Sequence, residues 1–120
     1  MLAFLHEMFT TPEAQSDPYV WAAALAGHWA IGAGLTALLM ALPFRAFFCA
    51  ALVSAIYGVL WEGGQLVGGG GIWDGLLDWS AVSLGAVTAA ALWQRKAAIA
   101  AGAVGITTLL LRVGLRRRRR

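Results

Sequence analysis

The sequence predicts an all-α fold, a polytopic bundle of transmembrane helices, and three observations carry that expectation. Of the 120 residues, 60% are hydrophobic and 12% charged, an apolar excess beyond that of globular chains. The apolar residues form runs that are hydrophobic all round rather than striped, so burying them in water would need a far larger protein. Finally, Trp21, Trp61, Trp73, Trp79 and Trp93 fall near the ends of those runs, where an indole ring sits half in hydrocarbon and half in headgroups.

Taken in order, Met1 to Thr11 mixes Leu2, Phe4, Leu5, Met8 and Phe9 with His6 and Glu7, the pattern of a short amphipathic helix lying on a membrane surface. Thr11, Pro12, Ser16, Asp17 and Pro18 follow as a linker, so residues 1–18 are read as interfacial helix and linker. No basic leader with a small-residue cleavage site opens the chain, and no removed signal peptide is expected. Roughly 20 apolar residues cross the ~30 Å hydrocarbon layer. By that measure residues 19–42, 44–62, 76–94 and 97–115 are four spans, the first two forming a hairpin about Pro43. The stretch from Gly63 to Gly71 holds six glycines and reads as a loop. Residues 116–120 are a tail of five arginines. Small residues recur four apart in Ala30 with Gly34, Ala81 with Gly85 and Ala89, and Ala101 with Gly105, spacings that let helix backbones approach closely. Cys49 lies in an apolar run and has no cysteine to pair with, so it reads as a small buried hydrophobe.

Two charge patterns point to opposite orientations. Six arginines between Arg112 and Arg120 favour a cytoplasmic C-terminus, which with four spans puts the N-terminus inside and Arg45, Arg95 and Lys96 outside. Three spans and an external N-terminus would place those three inside and leave the last apolar segment unspanned. Four are preferred, because keeping some 19 apolar residues out of the bilayer is costly at roughly 25 cal/mol per Å². The expected location is the bacterial inner membrane.

An ionisable group within a span costs roughly 2.5–3.5 kcal/mol on insertion scales, so His28, Glu62, Asp74 and Asp78 each ask for a reason. A hairpin turning at Pro43 sets His28 opposite Gly58, which offers room for the imidazole, with Glu62 about one turn nearer the surface. Asp74 and Asp78, four apart, share a helix face if the third helix starts early enough. All four groups then converge on one membrane face. Imidazole with carboxylates suits a divalent cation or an acid/base pair in which a carboxylate fixes the imidazole tautomer. As plain helix-packing and interface-level groups they would need neither.

His28-Trp29 in the first span, Glu62-Gly63-Gly64-Gln65 ending the second, and Asp78 seven residues before Gly85 together resemble the VanZ-like membrane proteins and the related YfiM-like proteins. The likeness covers roughly residues 27–89. It departs from the family pattern in lacking a basic residue between the Gln and the Asp, and in carrying Val82 where the family has Asn. The resemblance implies that His28, Glu62, Gln65 and Asp78 are the polar site positions, with His28, Glu62 and Asp78 as catalytic candidates and Gln65 and Asp74 as substrate-binding ones. It implies no defined reaction beyond the namesake's link to glycopeptide-antibiotic resistance.

Three function classes fit: an envelope protein whose polar site handles a lipid or cell-wall-precursor headgroup, a phage holin-like pore-forming lysis protein, and a structural membrane component of a virion or secretion assembly. The expected partners are the bilayer, anionic lipid at Arg116, Arg117, Arg118, Arg119 and Arg120, and a second copy of the chain. Nucleic acid is not among them, since five arginines without interleaved aromatics carry no base-reading signal. Gly68 to Gly71 lacks the Gly-Lys-Ser/Thr ending of a phosphate loop, and Ser54, Ser80 and Ser83 lack a nucleophile elbow.

Overall fold

The structure is a computed structural model that describes residues 16–69 and 72–120, all helices and turns. The amphipathic segment expected at residues 1–11 lies outside the described residues. Helix α1 spans Pro18–Met40, α2 Ala46–Ile56, α3 Gly63–Val67, α4 Ile72–Trp93 and α5 Ala97–Arg118, with a π-helical segment, Tyr57–Glu62, joining α2 to α3. Three of these helices, Pro18–Met40, Ile72–Trp93 and Ala97–Arg118, are long and apolar enough to cross a membrane, as an integral membrane protein requires. The apolar stretch Ala46–Trp61 is shorter.

Local chemistry fixes the helix ends. Asp17 caps α1, its Oδ1 accepting from the backbone N–H groups of Tyr19 at 2.8 Å and Val20 at 3.1 Å, and Pro18 starts the helix where its missing N–H costs nothing. Pro43 keeps the chain from re-entering a helix before Ala46. Arg95 closes α4 in the left-handed region, at φ 56°, while Lys96 N–H reaches back to the Ala91 carbonyl at 2.8 Å. That compact closure is why the turn into α5 needs only three residues.

Two boundaries differ from the sequence expectation. Helix α4 begins at Ile72 rather than at residue 76, which brings Asp74 into its first turn, where a carboxylate is favoured by the helix dipole. Helix α5 continues past residue 115 to Arg118, so much of the arginine tail is helical. The glycine-rich loop is also shorter than expected. Gly63 and Gly64 are helical, with Gly63 at φ −61°, and turn structure begins at Gly68.

Helices α1 and α4 run parallel and form the centre, α2 lies against both antiparallel to them, and α5 packs on the opposite flank. The buried face of α1 is Trp21, Leu25, His28, Gly32, Thr36 and Met40, one row at three- and four-residue steps. At the crossing, Gly32 lies against the Val82 carbonyl and Gly85 against the Trp29 carbonyl. A Cβ at either position would fall about 1 Å inside the 3.0 Å limit that real Cβ atoms respect. Gly85 and Ala81 thus serve the close approach expected of them, but Ala30, Gly34, Ala101 and Gly105 face outward, and a Cβ at Gly34 or Gly105 would touch nothing within 4 Å. The core is built of small residues: Cys49, Val82, Ala86 and Ala90 are fully buried between α2 and α4. Larger apolar side chains such as Leu38, Phe48, Val59, Ile106 and Leu109 point outward.

This up-down order puts the start of α1, the π segment, the start of α4 and the end of α5 at one end of the bundle, and Arg45, Arg95 and Lys96 at the other. At the second end Lys96 Nζ lies 5.4 Å from the Phe47 ring centre.

A candidate polar site between α1 and α4

His28 is on the buried face of α1, three turns in from the cap, and is only 3% exposed. Its Nδ1 is 2.8 Å from the Ala24 carbonyl oxygen, one helical turn back, and 3.5 Å from Asp78 Oδ1 on α4. A carbonyl oxygen can only accept, so Nδ1 carries the proton and donates it to Ala24, with the Asp78 carboxylate close by. In the neutral ring this makes Nε2 the basic nitrogen, and in the imidazolium Asp78 is its counter-ion. The Asp78 side chain is 27% exposed, so the pair joins a buried base to a carboxylate open to the surface. The Tyr57 ring, first in the π segment, stands edge-on to the imidazole, with centroids 6.0 Å apart and planes at 80°. It stacks in turn on Trp61 at 6.4 Å.

Asp74 lies one turn before Asp78 on α4 and within electrostatic reach of both Asp78 and Arg118. Arg118 closes this end of the bundle: its guanidinium lies 4.2 Å over the Trp21 ring and its Nη1 donates to the Gly114 carbonyl at 3.3 Å. The absence of a Cβ at Gly114 is what admits the Trp21 ring, since one there would collide with it. Of the arginines expected to face headgroups, Arg118 is therefore turned onto Trp21 and partly covered, while Arg116, Arg117, Arg119 and Arg120 are exposed. Trp21 itself, expected as an interface anchor, is buried at the α1–α5 crossing.

The structure brings His28 and Asp78 together and aligns Asp74 with them. Glu62 ends the π segment and Gln65 lies in α3, both at the same end of the bundle, and their side chains are outside the described residues. The space at Gly58 is not filled by the imidazole as expected. The Trp79 indole occupies it, and Tyr57, first in the π segment, is the residue turned toward His28 instead. Among the described residues no three His, Cys, Asp or Glu side chains gather as a metal set.

Sequence reasoning missed Tyr57 and the pairing of Ser54 with Ser83, whose hydroxyls are 2.6 Å apart between α2 and α4. The available signal for Tyr57 was its position, one residue before the glycine placed opposite His28. Ser80 and Thr88 donate to carbonyls one turn back on their own helix.

A crevice of about 390 Å³ opens on the outer flank between the π segment and the start of α4, lined by glycine and apolar side chains including Gly58, Val59, Gly63, Ile72, Gly75 and Trp79. Gly58 and Trp79 directly follow Tyr57 and Asp78 in the chain, although His28, Asp78 and Tyr57 do not themselves line the crevice.

Comparison of the chain with protein-family models, with curated proteins and with solved structures finds no match.

Proposed function

We propose that the chain is a four-span protein of the bacterial inner membrane, its C-terminus cytoplasmic, whose His28–Asp78 pair is the base in hydrolysis of the headgroup bond of a lipid or lipid-linked cell-wall precursor, taking a proton from the attacking water as the headgroup departs. The observation that carries this reading is the His28 ring: its Nδ1–H donates to the Ala24 carbonyl with Asp78 Oδ1 3.5 Å away, which leaves Nε2 as the nitrogen that accepts a proton. A buried titratable residue within a membrane bundle is a functional candidate by default, and here its partner is defined. The adjoining crevice supports a lipidic substrate, since its volume is within the ~300–1,000 Å³ range of small-molecule sites and its lining is apolar. The VanZ-like resemblance points to the same His and Asp.

The second span in this reading is α2, the π segment and α3 together. Residues 46–67 form one helical path, about 30 Å long at ~1.5 Å per residue. The lysis-pore reading fits less well, because Val82, Ala86 and Ala90 fill the centre of a single chain and a channel would need several copies.

The test is turnover of lipid-linked cell-wall precursors by the chain reconstituted in phospholipid vesicles. His28→Gln and Asp78→Asn should each abolish headgroup release while insertion and helicity persist. Full turnover by either variant would contradict the assignment.

A further inference from the structure

The helical path from Ala46 widens in its last turns. Over Tyr57–Glu62 it is π, with the Gly63 N–H bonding to the Gly58 carbonyl five residues back. Such segments are rare and frequent at functional sites, and sharp departures from the α ladder arise where a side chain inserts into it. Here the inserting group comes from α4. Trp79 Nε1 donates to the Ser54 carbonyl at 2.9 Å, in the turn that enters the π segment. The indole reaches that oxygen by crossing Gly58, where a Cβ would lie 2.8 Å from Nε1 and 3.1 Å from Cδ1. A glycine at 58 and an indole at 79 are therefore two halves of one contact. The Ser54 carbonyl also accepts from the Tyr57 N–H, so the indole is the second donor at an oxygen with two lone pairs and pins the turn from which the π segment departs.

The effect falls on the polar site. Tyr57 immediately follows the turn that Trp79 engages, and its ring is the aromatic edge against His28. On α4, Asp78 and Trp79 are consecutive. One helix thus presents the carboxylate to the imidazole and, one residue later, the latch to the segment that carries Tyr57.

We infer that Trp79, through the Ser54 carbonyl and the space at Gly58, is a positioning residue that holds the π segment and thereby sets Tyr57 against His28. The inference rests on the proposed function only for its consequence in turnover; the positioning is read separately.

The experiment uses the full chain in phospholipid nanodiscs, with labelled histidine, tyrosine and Ser54 carbonyl carbon, observed by NMR. Trp79→Phe keeps a ring and deletes the N–H, while Gly58→Ala displaces the indole from the other side. Both should abolish the His28–Tyr57 ring cross-peak and shift the Ser54 carbonyl resonance upfield, with the His28–Asp78 contact retained. Trp73→Phe, at an outward-facing indole, should change neither signal. A Trp79→Phe protein that keeps the cross-peak and the carbonyl shift overturns the inference, as does a Gly58→Ala protein that does so, should the first variant not fold. Loss of the cross-peak together with unaltered turnover by His28→Gln would leave the positioning intact and remove the proposed chemistry.

Discussion

Replacing Gly32 with alanine should separate α1 from α4 and weaken both the fold and the polar site. The added Cβ would point at the Val82 backbone carbonyl, a rigid helical atom, and fall about 1 Å short of the closest permitted approach. No side-chain rotation relieves that, so the helices themselves must part by about this amount. Overpacking of this kind costs roughly 1–3 kcal/mol. Gly85→Ala makes the reciprocal clash with the Trp29 carbonyl and should cost about the same. One separation accommodates both methyl groups, so the double variant should cost less than the sum of the singles by at least ~0.5 kcal/mol, the signature of neighbouring sites. Parting of about 1 Å also takes His28 Nδ1 and Asp78 from 3.5 Å to beyond ion-pair distance. Reversible unfolding in bicelles, followed by tryptophan fluorescence, measures all three proteins. Gly34→Ala and Gly105→Ala, whose added Cβ meets nothing within 4 Å, are the controls and should stay within ~0.5 kcal/mol of the parent. A Gly32→Ala protein as stable as those controls, or strictly additive singles, would refute the close crossing.

The other expectations concern the ends of the bundle and the serine pair. Arg95→Gly removes a non-glycine residue from the left-handed region, worth roughly 1 kcal/mol of relieved strain, and should raise the unfolding midpoint; a lowered midpoint would argue against the α4 closure. Asp17→Ala deletes the cap of α1 and should cost about 1 kcal/mol, visible as faster amide exchange at Tyr19 and Val20. Ser54→Ala strands the Ser83 hydroxyl and should cost up to about 1–2 kcal/mol, while the double Ser54→Ala/Ser83→Ala should recover part of that loss in the same unfolding assay.

Hydropathy located the three helices long and apolar enough to cross a membrane because their outward surfaces are apolar, and a window average registers that directly. It could not set the start of α4, since Asp74 depresses the average although a carboxylate is welcome in a first turn. Glycine propensity read the stretch after Glu62 as loop, yet Gly63 and Gly64 continue the helical path from Ala46; propensity is a weak local preference that the preceding helix outweighs. Spacing identified Ala81 and Gly85 but also Ala30 and Gly34, because a four-residue repeat of small residues does not say which face meets another helix. The hairpin at Pro43 relates α1 only to α2, so what the sequence offered for His28 and Asp78 was a shared end of the bundle; their 3.5 Å approach comes from the parallel packing of α1 on α4. Tyr57 was missed by one residue, and the cause is tertiary: the indole that accompanies the π segment comes from Trp79, 25 positions beyond the Ser54 carbonyl it bonds, and no pattern near Tyr57 announces it.

The geometry of the His28 ring is the claim on which the site stands, and two-bond proton–nitrogen correlation spectra of labelled histidine in nanodiscs read it directly. Neutral His28 should carry its proton on Nδ1, and Asp78→Asn should perturb that nitrogen more than Nε2. A neutral ring protonated on Nε2, or an Nδ1 resonance indifferent to Asp78→Asn, would contradict it.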